Sequence, residues 1–132
     1  MWKAGKVERG NKELSGRVIE AAMAVHASLG PGFLESVYEK ALAVEPAARG
    51  MAFEQQKVIQ VRHLGVVVGE YRLDLLVEKV LLVELKAGSA LEDIFFVVAR
   101  SQMKAAGIRD GIVLNFASIP LTIKRVGPGR NS

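Results

Sequence analysis

The chain has no cysteine among its 132 residues, which excludes disulfides, thiolate metal ligands and cysteine nucleophiles and suits a reducing cytoplasm. It also has no long hydrophobic run. The longest uncharged apolar stretch, Ile94 to Ala99, is far too short to cross a bilayer. The N-terminal residues carry basic side chains without the apolar core of a secretory signal, so a soluble, cytoplasmic protein with no membrane contact is expected. There is no internal repeat, low-complexity tract or linker. Neither sign of charge dominates: eighteen Lys and Arg against fourteen Asp and Glu give +4, which is compatible with a polyanionic partner but is not a polybasic signature. With half of its residues hydrophobic, a chain of this length reads as one domain that buries roughly two-thirds of its unfolded surface.

What is present is a segment, Gly69 to Ala87, in which charges interrupt an apolar, β-branched run. Tyr71 to Val77 and Val80 to Lys86 read as the two strands of a hairpin. Glu84 and Lys86, two apart, share one face of the second strand, and Leu81, Val83 and Leu85 share the other. A register with Val77 opposite Leu81, and Glu78 to Val80 as the loop, sets Asp74 opposite Glu84; a slip of one residue turns Asp74 away. Two opposed carboxylates repel and call for positive charge between them. Two sources can supply it. The same register sets Arg72 opposite Lys86, giving a cross-strand network of two acids and two bases. Alternatively, a hydrated Mg²⁺ or Mn²⁺ takes the two carboxylates as hard oxygen ligands. Leu76, Val80 and Leu82 lie on the same charged face, which implies that other elements cover it in part.

Around this segment the chain divides into recognisable pieces. Residues 1–12, with Lys3, Lys6, Arg9 and Lys12, are expected to form a flexible basic arm. Leu14 to Leu29 has helical spacing (Leu14, Val18, Ala21, Ala22, Val25, Leu29) and ends at Gly30-Pro31-Gly32, with His26 near the end as a packed or capping residue. A second helix over Leu34 to Glu45 turns Leu34, Val37, Tyr38, Ala41 and Leu42 inward and breaks at Pro46. Glu35 in its first turn either complements the helix dipole or, with Tyr38 three residues on, faces the hairpin. Phe53 to Val61 reads as a strand, followed by a turn over Arg62 to Gly65 in which His63 is exposed. Ser89 to Glu92 has capping-box spacing, and a third helix should run to Ala106 with Leu91, Ile94, Phe95, Val98 and Ala105 as its core and Gly107 as its stop. Gly111 to Phe116 and Leu121 to Val126 read as two further strands, and 127–132 as a disordered tail. The order ααβββαββ gives an α/β fold of mixed α+β character, a mixed sheet with helices on its faces.

Gly32-Phe33-Leu34-Glu35-Ser36-Val37-Tyr38 resembles the signature of the GxxExxY proteins, a group within the PD-(D/E)XK nuclease superfamily. His26 to Gly32, Tyr71 to Leu76 with its R-x-D, Val83-Glu84-Leu85-Lys86-Ala87 and Asn115-Phe116 resemble that family's other landmarks, in order, over residues 13–126. The resemblance implies a restriction-endonuclease-like core and a metal-dependent phosphodiesterase, endo- or exonuclease, acting on nucleic acid, with DNA favoured over RNA. It implies that Asp74 and Glu84, with the Leu85 carbonyl, hold Mg²⁺ or Mn²⁺, that Glu35 supports the site and that Lys86 orients or deprotonates the attacking water. Tyr38, Arg72, Gln102 and His26 are then supporting residues, Arg72 and Lys104 the candidate nucleic-acid contacts, and a homodimer is compatible.

The third helix departs from that pattern. Where the family has a histidine, a glutamine and then a tyrosine, equal spacing from Lys86 gives Phe95, Val98 and Gln102. Pro46 also falls within what is normally an unbroken helix. The metal ligands are retained while polar supports have become apolar, so two functions stand side by side. One is a nuclease, weakened in turnover. The other is a degenerate nuclease fold kept as a nucleic-acid-binding or protein-interaction module.

Overall fold

A computed structural model describes residues 3–88 and 90–127. Its elements are α1 (Lys3–Leu29), α2 (Glu35–Ala48), β1 (Phe53–His63), β2 (Val66–Val77), β3 (Leu81–Lys86), α3 (Asp93–Ala106), β4 (Asp110–Asn115) and β5 (Thr122–Val126). The strands form one sheet in the order β1-β2-β3-β4-β5. Only β3 and β4 are parallel, and the other neighbours are antiparallel. A parallel pair needs a crossover, and α3 supplies it. The order ααβββαββ and the mixed sheet match the sequence expectation and are consistent with a restriction-endonuclease-like fold.

The pleat of β3 divides the core in two. Leu81, Val83 and Leu85 pack with Leu75, Val77, Ile112, Leu114 and Phe116 beneath α1 and α2, which contribute Leu14, Val18, Ala22, Tyr38 and Leu42. Leu82 faces the other way and packs with Leu76, Val113, Ala99 and Met103 beneath α3. This side also carries Glu84 and Lys86, because they share the parity of Leu82. Leu73 and Ile59 join the α3 side too. The β1–β2 hairpin therefore coils over that helix beyond the point where β2 leaves β3. Close approach of α3 to the sheet needs Gly111, where an added Cβ would lie 2.9 Å from Met103 Sδ.

Several boundaries differ from those expected. Helix α1 begins at Lys3, so the residues expected as a basic arm are helical from there. Apolar periodicity marks where a helix packs rather than where it starts, and Leu14 is its first buried position among those described. Pro46 does not end α2 but sits buried inside its last turn. There the missing N–H leaves only the Leu42 carbonyl without its helical donor, and the Pro46 carbonyl accepts from Arg49 and Met51. Strand β1 continues to His63, exposed as expected, and turns through Leu64 and Gly65, both at positive φ. Strand β2 starts at Val66 rather than Tyr71, because the valines before Gly69 pair with β1 across a register shift at Val61/Arg62. Helix α3 starts at Asp93 with Glu92 as an N-cap that makes no side-chain bond; Ser89, the cap expected from sequence, lies outside the described residues. Its core is Phe96, Ala99 and Met103, with Leu91 packed against the same cluster as expected, and not Ile94, Phe95, Val98 or Ala105. Six consecutive apolar residues fit either helix face, so periodicity alone does not choose the buried one. The expected tail beyond Gly127 lies outside the described residues.

The loop between α1 and α2 is fixed by one side chain. Tyr38 is fully buried, its hydroxyl donates to the Gly30 carbonyl at 2.5 Å and accepts from the Phe33 N–H at 3.1 Å, and its ring stacks on Phe116 at 4.6 Å. Tyr38→Phe keeps the stacking but strips both backbone groups of their partner. We expect it to lower unfolding free energy by about 1–3 kcal/mol in urea titration; an unchanged midpoint would show that water replaces the hydroxyl.

Candidate functional site

The hairpin register is the expected one. Val77 pairs with Leu81, Leu76 with Leu82 and Leu75 with Val83, leaving Glu78 to Val80 as the loop. The ladder stops at Leu75–Val83, and β2 and β3 then diverge while β2 stays paired with β1. Asp74 and Glu84, next in line, sit at the fork. There the Asp74 carboxylate takes the place of the departing strand: its Oδ2 accepts the Leu85 N–H at 2.9 Å. Within a strand the N–H and C=O of one residue point to the same neighbour. The Lys86 carbonyl is turned to β4, where it accepts from Phe116 N–H at 2.9 Å, so the Leu85 carbonyl opens into the fork beside Asp74.

Burial dominates the electrostatics here. It pushes the Glu84 carboxyl up to about 9, assisted by hydrogen bonding to Asp74 and repulsion from it, while the nearby Lys86 ammonium pulls the other way. Glu84 Oε1 is buried with no hydrogen-bond partner. A carboxylate pair with one orphaned oxygen and an adjacent backbone carbonyl is an all-oxygen donor set that suits a hard divalent cation with waters completing its shell. The residues present fit Mg²⁺ or Mn²⁺. Asp74, Glu84 and the Leu85 carbonyl would hold it.

Lys86 lies beyond Glu84 on the same side of β3, with its Nζ 4.6 Å from the centroid of the Phe95 ring. The aromatic face attracts the ammonium and restricts where it can swing. The network of two acids and two bases does not form. The ladder ends before Arg72 could face Lys86, and Arg72 instead pairs across β1 with Val58, is exposed and has no ion-pair partner among the described residues.

Glu35 is not brought to the pair. It is exposed in the first turn of α2, and among the described residues no group of three His, Cys, Asp or Glu could hold a metal. Glu39, one turn on, makes the contact with the sheet, accepting from Gln56 at 2.7 Å and Gln55 at 3.3 Å. Tyr38 points into the core rather than at the hairpin. His26 Nε2 lies 2.8 Å from the Ser118 carbonyl and its ring 6.3 Å from Phe116, so it ties the end of α1 to the loop after β4. Gln102 has a buried Oε1 with no partner, and Lys104 is exposed.

Asn115 and Glu39 had no assigned role in the sequence. Asn115 is buried, pairs with Lys86 in the parallel ladder, donates from Nδ2 to the Gly88 carbonyl at 2.9 Å and accepts from Ala117 N–H at 3.1 Å. It therefore holds the chain as it leaves β3. An asparagine closing an apolar strand was a visible signal, because a polar residue at a core position must be satisfied.

The raised Glu84 pKa has a defined consequence for stability. The native state keeps a proton that the unfolded chain releases near 4.5, so this contribution is present below that pH and is lost progressively as pH rises to about 9. In EDTA, wild type should lose stability from pH ~5 to ~8 more steeply than Glu84→Gln. Equal slopes would mean that Glu84 titrates normally.

A family model described as the PD-(D/E)XK nuclease superfamily matches residues 12–126. No curated protein and no solved structure gives a significant match. No helix among the described residues is long and apolar enough to cross a membrane. With its match spanning all five strands and the fork between β2 and β3, the chain belongs to the PD-(D/E)XK nuclease superfamily.

Proposed function

We propose that the protein is a nuclease that hydrolyses phosphodiester bonds with Mg²⁺ or Mn²⁺, with DNA favoured over RNA as substrate. The observation that carries this reading is the half-buried pair Asp74 and Glu84, where one carboxyl is pushed far up and its buried Oε1 has no donor. A cation bound there would neutralise charge on phosphate oxygens and lower the pKa of the attacking water. Asp74 is held in position by the Leu85 N–H, so its second oxygen is preorganised toward Glu84. Lys86, steadied by the Phe95 ring, presents an ammonium to the negative charge that develops on the phosphate. Exposed Arg72, two residues before Asp74, and Lys104 on α3 are suited to phosphates flanking the scissile bond. Placement in the GxxExxY group rests on Gly32, Glu35 and Tyr38. Tyr38 and His26 serve the site indirectly, by holding the loops at the ends of α1 and β4; Glu35 would support it only through substrate or an altered rotamer.

One observation favours a second reading, a binding module without turnover. Phe95 lies against Lys86, Val98 shares its helix face and is 41% exposed, and neither side chain can hydrogen-bond a water or phosphate. The test is cleavage of single- and double-stranded DNA and RNA in saturating Mn²⁺. Wild type should cleave slowly, Asp74→Ala and Lys86→Ala should not, and Val98→Gln should raise the rate roughly ten-fold by restoring a polar partner. Absence of metal-dependent cleavage in every variant would favour the binding module.

A further inference from the structure

Among the described residues, two buried side-chain polar atoms have no hydrogen-bond partner: Glu84 Oε1 and Gln102 Oε1. Buried polar atoms are satisfied in nearly all folded proteins, so each orphan requires an explanation. Both are acceptors. With Glu84 ionised, as cation binding requires, they cannot satisfy one another, and a shared donor would satisfy both.

The fold aligns them along the same seam. Helix α3 follows β3 and leads into parallel β4, so it runs back along β3 in the opposite direction. Phe95 lies at Lys86 and fixes the alignment at one end. From Phe95 to Gln102 the helix advances about 10 Å, and from Lys86 back to Glu84 the strand covers about 6.6 Å. The residual few ångströms are within reach of a glutamine, because helical side chains lean toward the helix N-terminus and Gln102 therefore leans toward the level of Glu84. Gln102 also shares the helix face of Phe95 and Val98, whereas neighbouring Met103 and Ala99 fill the apolar core.

We propose that Gln102 is a positioning residue of the cation site, its carboxamide oxygen sharing with Glu84 Oε1 one donor, a water of the hydration shell. This rests on the metal-dependent reading above and assigns to this chain a polar group on α3 that partly offsets the apolar Phe95 and Val98. A divalent cation beside two carboxylates keeps several waters. The groups that orient such waters and ligands tune metal affinity by roughly 10- to 100-fold. The same carboxamide turned the other way would donate directly to Glu84, which is a purely structural bond, and the two arrangements differ in measurable ways.

The experiment is Mn²⁺ titration of the whole chain, read by electron paramagnetic resonance of free Mn²⁺, with melting in EDTA as a second readout. The chains compared are wild type, Gln102→Met, Gln102→Glu and Asp74→Ala. Gln102→Met, similar in shape but without the acceptor, should weaken Mn²⁺ binding roughly ten-fold with no loss of melting temperature in EDTA. Gln102→Glu, which keeps an acceptor oxygen, should bind at least as tightly as wild type. Binding in Gln102→Met within about two-fold of wild type, while Asp74→Ala still loses binding, would overturn the role of Gln102 and leave the cation site standing. A fall in the EDTA melting temperature of Gln102→Met with unchanged Mn²⁺ affinity would overturn it in favour of the direct bond to Glu84. Equal binding in wild type and Asp74→Ala would overturn the cation site itself, and the role of Gln102 with it.

Discussion

The site depends on one hydrogen bond, from the Leu85 N–H to the Asp74 carboxylate. Strand β2 is needed by two partners, β3 at its end and β1 along its whole length. Where it turns away from β3, a backbone donor at the centre of the sheet loses its strand partner. A buried N–H left unmet is costly, and Asp74 meets it from the side. That places a carboxylate, rather than a strand, next to Glu84. It also keeps the Leu85 carbonyl open to the same gap, so a fork that looks like a defect in the ladder concentrates oxygen atoms in one place.

The rest of the fold keeps the fork from collapsing. Beneath β3, α1 and α2 supply the larger apolar cluster, and the stacked Tyr38 and Phe116 rings link α2 to the end of β4. Above it, α3 closes on the sheet through Ala99 and Met103 over Gly111. Asn115 fastens the chain as it leaves β3. The low-dielectric surroundings that stabilise this layered core are the same surroundings that drive the Glu84 proton affinity up. Stability and candidate chemistry are thus in tension at a single carboxyl.

Much of this was legible in the sequence because period-two patterning is unforgiving. The parity of Leu81, Val83 and Leu85 against Leu82, Glu84 and Lys86 fixes the faces of β3, and a single loop length then fixes the partner of Glu84. Other features were not legible, for physical reasons. The divergence from β3 of the part of β2 that precedes Leu75 is set by competition between two neighbouring strands, so the pairing of Arg72 with Lys86 did not follow from register alone. The run Ile94 to Ala99 is apolar on every face, so periodicity could not choose between Val98 and Ala99 as the buried position. Pro46 breaks a helix only where its missing N–H and ring conflict with the preceding turn, and near the end of α2 that conflict is small. Glu35 was placed near the pair by its spacing from Tyr38 and by motif, neither of which fixes how α2 sits on the sheet, and Glu39 is the carboxylate that meets the sheet.

The central claim is that the fork between β2 and β3 is a divalent-cation site. Anomalous diffraction from crystals grown with Mn²⁺ tests it most directly. The account predicts one strong peak bounded by Asp74, Glu84 and the Leu85 carbonyl, with metal–oxygen distances of about 2.1 Å. A fork without a peak, with Glu84 Oε1 instead bonded to a protein donor, would contradict it.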